Sequence, residues 1–383
     1  MMSNVLLGID RIFEYDKWFK HKRIGLLTNH TGLDSQNNRT ADVFMALGYH
    51  IQTLFAPEHG YKGIVQDAII IQDDVDKSGI PIYSLYNEKK GPTEDMLADI
   101  DIFVTDMQDI GSRFYTYANT MEKAMVTCGR KDIPFVVLDR PNPVNGNTVE
   151  GLFVEEEFQS FVGHAKLPVR HGLTLGELAR YFNQMNGTYC DLEVIPLEGW
   201  SREMYFSDTG IPFVSPSPNI SSLHAVLCYN ATCFFEGTNI SEGRGTIRPF
   251  EWIGAPFIDA EKLSSVLKAK KIDGVNFIPR TTSPMMFDYK GLECNGIELA
   301  VTNKDEFKAF TTGLILMDTI MHLFPNDFMW GIYPEVPDKP YIDYLFGSDK
   351  WRNKAISLEE ALKREKTDVA EFMAIRRDAL LYE

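Results

Sequence analysis

RIGLLT (23–28) and HIQTLFA (50–56) are short apolar runs, each followed at once by polar residues, and they predict two buried strands. Between them RTADVFMALG (39–48) carries apolar residues at helical spacing and closes on Gly48. The alternation continues along the chain. IPIYSLY (80–86), IDIFVTDM (100–107) and IPFVVLD (133–139) predict strands. TEDMLAD (93–99), with Thr93 as cap, and FYTYANTMEKAMVTCG (114–129), ending at Gly129, predict helices. Strands that alternate with helices predict an α/β fold with a parallel sheet covered on both faces.

After Glu150 the texture changes. In RHGLTLGELARYFN (170–183), Thr174 and Glu177 form the sequence signature of a capping box. DLEVIPL (191–197) predicts a strand, GIPFVSPSPNIS (210–221) a Pro/Ser-rich loop, and 222–233 a helix. Residues 234–257 predict a long loop rich in glycine and charge, and loops of that length in a compact domain are usually functional. The remainder predicts a helix at 259–271, a strand at 275–280, and helices at 305–324 and 357–382.

With 383 residues the chain is long enough for two domains, and its 44% hydrophobic and 24% charged content is that of a soluble globular protein. A net charge of −16 argues against nucleic acid as partner and for a small ligand. Five scattered cysteines without a CxxC pair argue against a zinc ribbon or a disulfide scaffold. No stretch reaches the length of a membrane span, and the first residues lack the pattern of an export signal. A cytoplasmic location is the default expectation, and a periplasmic one follows if a signal was removed. No G-x-G-x-x-G follows the first strand and no G-x-x-x-x-G-K-[ST] occurs, so the sheet reads as Rossmann-like without a nucleotide, and no cofactor or metal is expected.

Polar, chemically capable residues follow each of four expected strands. They are Asn29 and His30; Glu58 and His59; Asp106, Gln108, Asp109 and Arg113; and Asp139, Arg140, Asn142 and Asn145. Open α/β sheets bind ligands outside the carboxyl ends of their strands, so these loops should converge on one crevice. Some of these residues have plainer readings. Asp109 suits a helix cap, Asp139 and Arg140 suit an ion pair pinning the PNPVNG turn, and His30 suits a hydrogen-bonded loop histidine. Phe114 and Ala118 read as core, whereas Tyr115 and Tyr117 suit a sugar site. Glu58 is not followed by a convincing helix start, so capping does not explain it. An apolar strand and Pro57 precede it, which places its carboxyl in the partly desolvated setting of a proton donor. Gly60 and Gly63 are expected to let the backbone approach a sugar ring. The loop at 234–257 adds Glu236, Glu242 and Glu251, together with Asn239, Arg244 and Arg248. Glu236 or Glu242 is the expected partner of Glu58 in glycoside hydrolysis.

The motifs GLLTNHTG, LFAPEHGYKG, DIGSRFYTYANTM, VVLDRPNPVNG, PVRHGLTLGELA, SPSPNI and EGTNISEGRGT resemble those of the DUF1343 or YbbC-like family, exo-β-N-acetylmuramidases of the NamZ type. The likeness runs from about residue 6 to the C-terminus. It implies a Rossmann-like catalytic domain at 1–150, or reaching about 257, and a smaller α+β auxiliary domain at 258–383. It also implies release of terminal N-acetylmuramic acid from peptidoglycan fragments. That sugar carries a lactyl carboxylate, for which Arg113, Arg140, Arg170 and Arg244 are candidate partners. Two other functions fit the same residues. One is a non-catalytic saccharide-binding protein; the other is a metal-dependent hydrolase using His30, Glu58, His59, Asp106 or Asp109.

Overall fold

The computed structural model describes residues 5–66, 69–86, 90–163, 166–185, 190–332 and 339–383. Its main element is a seven-stranded sheet built from β1 (Arg23–Thr28), β2 (His50–Ala56), β3 (Asp74–Val75), β4 (Pro81–Ser84), β5 (Ile102–Asp106), β6 (Phe135–Leu138) and β7 (Leu192–Ile195). The spatial order is β3-β4-β2-β1-β5-β6-β7, and every pairing is parallel except that of the two-residue edge strand β3 with β4. The chain builds outward from β1 in one direction and then in the other, so the order reverses beside β1. The large sheet runs well past residue 150, since β7 closes its edge.

Both faces are covered, which is why the strands read as nearly continuous apolar runs. Ile24, Leu26 and Leu54 pack with Phe19 of α1 (Asp16–Phe19) and Phe44 of α2 (Thr40–Ala46). Leu27, Phe55 and Phe103 face the opposite layer, where α3 (Tyr117–Arg130) and α4 (Leu175–Met185) contribute Met121, Met125, Leu178 and Phe182. The capping box of α4 is present: Glu177 N–H donates to Thr174 Oγ1 and Thr174 N–H to Glu177 Oε2, both at 3.1 Å.

A smaller antiparallel sheet, in the order β8-β10-β9, joins β8 (Trp252–Ala255), β9 (Val275–Thr282) and β10 (Cys294–Val301). It packs with α5 (Leu223–Thr232), α6 (Ala260–Ala269) and α7 (Ala309–Leu323), and α8 (Tyr341–Phe346) and α9 (Leu358–Ile375) complete the chain. The two sheets do not have separate interiors, because one apolar cluster runs from Leu27 to Ala379. The last turn returns to the first sheet, where Arg376 donates to the Gly146 and His171 carbonyls and the Tyr382 hydroxyl to Asp139.

Several elements differ from expectation. The helix expected from 114 starts at Tyr117, because Arg113 N–H is tied to the Val169 carbonyl and the chain turns there. The helix expected at 93–99 is one 3-10 turn, Asp95–Leu97, and that expected to 382 ends at Ile375. The segment 234–257 is not all loop. It opens with a 3-10 helix, Cys233–Gly237, and contains β8.

Candidate active site

At the end of β2 the chain leaves the sheet through Pro57, and His59 takes a left-handed backbone, φ 68°. Such a conformation costs a non-glycine residue energy and is common at functional sites. It turns Glu58 and His59 into a cleft whose roughly 810 Å³ of open space includes solvent at its mouth. The floor is the start of α3. Thr116 stands at the helix cap position, but its hydroxyl donates to Glu58 Oε2 at 2.6 Å and makes no bond to its own helix. Glu58 is 7% exposed, so it is desolvated and held at a helix N-terminus, where the dipole favours an acceptor oxygen. The His59 Nδ1–H donates to the Val65 carbonyl at 2.8 Å, a bond that leaves Nε2 as the acceptor of the neutral ring.

Beside Thr116, Tyr115 lines the cleft with its ring packed edge-on against Tyr117, centroids 4.7 Å apart. Burial pushes the Tyr115 phenol well above its ordinary pKa, so the group stays protonated. The 210–221 loop forms a second wall through Ser217, Asn219 and Ile220. Tyr117 and His30 hold that loop from behind: the Tyr117 hydroxyl donates to the Pro216 carbonyl at 2.7 Å, and His30 Nε2–H to the Ser215 carbonyl at 2.6 Å.

The third wall comes from the 3-10 helix and the loop after it. Arg244 bridges two carboxylates, Glu236 at 2.8 Å and Glu242 at 2.7 Å, and lies over the Phe250 ring at 4.8 Å. Glu236 lines the cleft with Glu58, and Glu242 is buried behind Arg244. Tyr86 and Phe161 form the rim, with Lys90 Nζ 3.4 Å from the Tyr86 ring centroid and Lys123 Nζ 5.2 Å from that of Phe161.

Glu58, His59, Tyr115, Glu236 and Arg244 therefore share one cleft. The other expected residues do not reach it, and in each case a protein partner explains why. Asp106 is ion-paired with Arg140, whose Nη2 lies 2.9 Å from its Oδ2, and the Thr40 hydroxyl donates to the same carboxylate. This pair fills the position where the strand order reverses. The ion pair expected between Asp139 and Arg140 is replaced by it, and Asp139 instead accepts from Thr174, Gly176 and Tyr382. Asn29 donates to Tyr117 and accepts from Thr31. Arg113 is enclosed by the carbonyls of Leu152, Leu167 and Leu345. Asn142 binds the Leu173 carbonyl and Val144 N–H, and Asn239 binds Asp327 and Met329. Arg170 is paired with Glu150. Asp109 does not cap a helix; its Oδ2 accepts from Gly111 N–H at 2.7 Å, and burial pushes its pKa up to about 7.

Gly63 also has a different reason from the one expected. A Cβ there would collide with the His30 ring, so this glycine makes room for a histidine rather than a sugar. The metal reading needs a gathering of donors. Among the described residues no three His, Cys, Asp or Glu side chains are placed to share an ion. Sequence reasoning missed Thr116, Ser217, Asn219, Tyr86 and Phe161. The first three sit inside motifs already singled out, FYTYANT and SPSPN, but read there as core or loop residues.

Comparison with known proteins supplies the lineage. The family description "Exo-beta-N-acetylmuramidase NamZ, N-terminal" matches residues 24–224, and its C-terminal counterpart matches residues 227–382. The chain is 41% identical to the peptidoglycan beta-N-acetylmuramidase NamZ of Bacillus subtilis over 384 aligned positions, covering 99% of this chain and 91% of that protein. The crystal structure of one DUF1343 family protein from Bacteroides fragilis superposes with a TM-score of 0.90 at 32% identity, covering 99% of both chains. A second from the same organism gives 0.79 at 30% identity, covering 100% of this chain and 99% of the other. Matched along nearly its whole length by both halves of the profile, the chain belongs to the exo-β-N-acetylmuramidase NamZ family.

Proposed function

We propose that this protein is a glycoside hydrolase that releases terminal N-acetylmuramic acid from peptidoglycan fragments, with Glu58 as its general acid. The observation that carries the site assignment is a desolvated carboxylate at the mouth of β2, held by Thr116 in an aromatic-walled cleft. Aromatic faces suit the apolar faces of a sugar ring, and a carboxyl group beside them suits protonation of the glycosidic oxygen. The catalytic unit of this reading is the seven-stranded sheet with the walls added by 210–250, which favours the extension to about residue 257.

Arg244 lines the cleft and is the candidate for the lactyl carboxylate among the four arginines considered. Its two glutamate partners make it a shared donor, and Lys90 and Lys123 add positive charge at the rim. A site arranged around that carboxylate loses a charged partner when the lactyl group is absent. A chromogenic N-acetylmuraminide should therefore be cleaved much faster than the matching N-acetylglucosaminide; equal rates refute the specificity. Glu58→Gln on a natural disaccharide tests the acid. Loss of roughly a hundredfold to ten-thousandfold with ligand binding retained is expected. A wild-type rate makes Glu58 structural, and a protein that binds saccharide but turns none over is a binding protein.

A further inference from the structure

We infer that the nucleophile of this reaction is the substrate's own 2-acetamido oxygen, positioned by a hydrogen bond from the Tyr115 hydroxyl. The inference rests on the reading of the cleft with Glu58 as acid and adds the second half of the chemistry to it. Two observations carry it independently. The first is the state of the second carboxylate. Among the described residues that line the cleft the carboxylates are Glu58 and Glu236, and Glu236 is bonded to Arg244 at 2.8 Å and accepts from the Cys233 thiol at 3.6 Å. Glu242 stands behind the same guanidinium at 2.7 Å. A carboxylate with its charge already shared with an arginine and a thiol is a weakened nucleophile and a weakened base.

The second observation is an orphaned donor. Tyr115 is 5% exposed, and its hydroxyl has no hydrogen-bond partner among the described residues. Tyr117 and Ser217 are its polar neighbours, yet neither meets it in hydrogen-bonding geometry. Rings on both sides fix it: Tyr117 and Tyr229 stand edge-on at 4.7 and 6.2 Å. A buried hydroxyl left without an acceptor is unfavourable unless a ligand supplies one. Its place says which ligand atom that is. Tyr115 adjoins Thr116, which holds Glu58, and its side chain lines the same cleft as that carboxylate. The polar atoms next to the anomeric carbon are the ring oxygen and the acetamido group on C2, and the amide carbonyl is the stronger acceptor.

The steps balance. The acetamido oxygen forms a bond to C1 as the bond from C1 to the leaving oxygen breaks, and the Glu58 proton passes to that oxygen. A cyclic oxazolinium ion results. Water then attacks C1 from the face the leaving group vacated, its proton passes to the Glu58 carboxylate, and the ring C1–O bond breaks to restore the acetamide. Two inversions give net retention. Glycosidases of this substrate-assisted kind form a recognised exception to the two-carboxylate scheme.

The test uses the full chain and 4-nitrophenyl muraminides whose N-acyl group is acetyl, fluoroacetyl, difluoroacetyl or trifluoroacetyl. Fluorine withdraws electrons from the carbonyl oxygen, so kcat/KM should fall stepwise, by roughly a hundredfold or more across the series. A change under about threefold overturns the inference, as does an α-anomer as the first product seen by proton NMR. Tyr115→Phe should lower kcat on the acetyl substrate by roughly tenfold or more with little change in KM, and leave the thermal midpoint unchanged or higher, because the lost hydroxyl has no hydrogen-bond partner among the described residues. Unchanged kcat removes Tyr115 from the scheme. Loss of all turnover in Glu236→Gln, restored by azide with formation of a glycosyl azide, assigns the nucleophile to Glu236 and overturns it. The acyl series is read on unaltered enzyme, so it stands apart from failure of Glu58 as acid, which the Glu58→Gln variant reports.

Discussion

The Thr116 hydroxyl donates to Glu58 Oε2 at 2.6 Å from the cap position of α3, where a threonine ordinarily bonds its own helix. The helix gives up a cap so that a carboxyl group is fixed in rotamer and aimed into the cleft. This relationship ties the end of β2 to the start of α3 through two residues 58 apart in sequence.

Removing it should harm catalysis more than stability. Leaving a buried polar group without its partner costs about 1–3 kcal/mol, and each 1.4 kcal/mol of misplaced transition-state contact is about tenfold in rate. Thr116→Val is therefore expected to lower kcat/KM on a natural disaccharide by roughly tenfold to hundredfold, with a thermal midpoint close to wild type. Thr116→Ser should keep most of the rate. If Val and Ser behave alike, the hydroxyl is not what positions Glu58.

Leaving-group chemistry gives a separate check on Glu58. A nitrophenolate departs with little protonation, whereas a sugar alkoxide needs a proton in the transition state. The loss caused by Glu58→Gln should be at least about tenfold smaller on an aryl muraminide than on a disaccharide. Equal losses on both substrates indicate that Glu58 holds the fold or the ligand instead of delivering a proton.

The strands that position this site were legible because their signal is local. β1 and β2 lie where their apolar runs lie, and Pro57 ends β2 as a residue without an N–H must. β8 and β10 were not legible. WIGA is four residues inside a glycine-rich stretch, and CNGIELAV mixes glycine and polar residues because one side of that sheet is half exposed. The side chains of the site divide in the same way. Strand-end position brought Glu58 and His59 to the cleft, but it could not separate polar residues that line it from those that face each other. Asp106 and Arg140 have the chemistry of a binding site and form a structural ion pair, which only the register of β1, β5 and β6 decides. The Tyr115 hydroxyl, without a hydrogen-bond partner among the described residues, and the Tyr117 hydroxyl, bonded to Asn29 and Pro216, are two residues apart in one motif.

Arg244 provides a stability prediction. It separates Glu236 and Glu242, and all three side chains are at least 88% buried by its packing against Phe250 and the cleft wall. Deleting one partner of a buried ion pair costs about 3–5 kcal/mol, since the carboxylates left behind lose their counter-charge. Arg244→Met should lose that much in urea unfolding, and adding Glu242→Gln should restore part of it. Arg244→Lys should fall between, because a single ammonium cannot grip two carboxylates as a planar fork does. If the Met variant unfolds at the wild-type urea midpoint, the triad is not a structural unit.

The last prediction concerns a buried pair away from the cleft. Asp109 Oδ2 lies 3.8 Å from His171 Nε2, and Asp109 Oδ1 and His171 Nε2 have no hydrogen-bond partner among the described residues. Burial raises Asp109 to about 7 and lowers His171 to about 3, each favouring its neutral form. The two act on stability with opposite sign. Between about pH 4 and 7 the folded protein keeps a proton on Asp109 that the unfolded chain releases, so this group makes stability fall as pH rises. Between about pH 3 and 6.5 the unfolded chain holds a proton on His171 that the folded protein excludes, so this group makes stability rise. In the native protein the two slopes nearly cancel across that window. Asp109→Asn removes the first and keeps an acceptor for Gly111 N–H, which donates at 2.7 Å. The variant should match wild type near pH 4 and become progressively more stable than wild type up to about pH 8, because its amide has no charge to bury. Asp139, raised by burial to about 6, and Glu365, raised to about 7, titrate in both proteins and drop out of the difference. Thermal melts of both proteins at pH 4.5 and pH 8 decide it, and an equal difference in Tm at the two values means that Asp109 is not held protonated by burial.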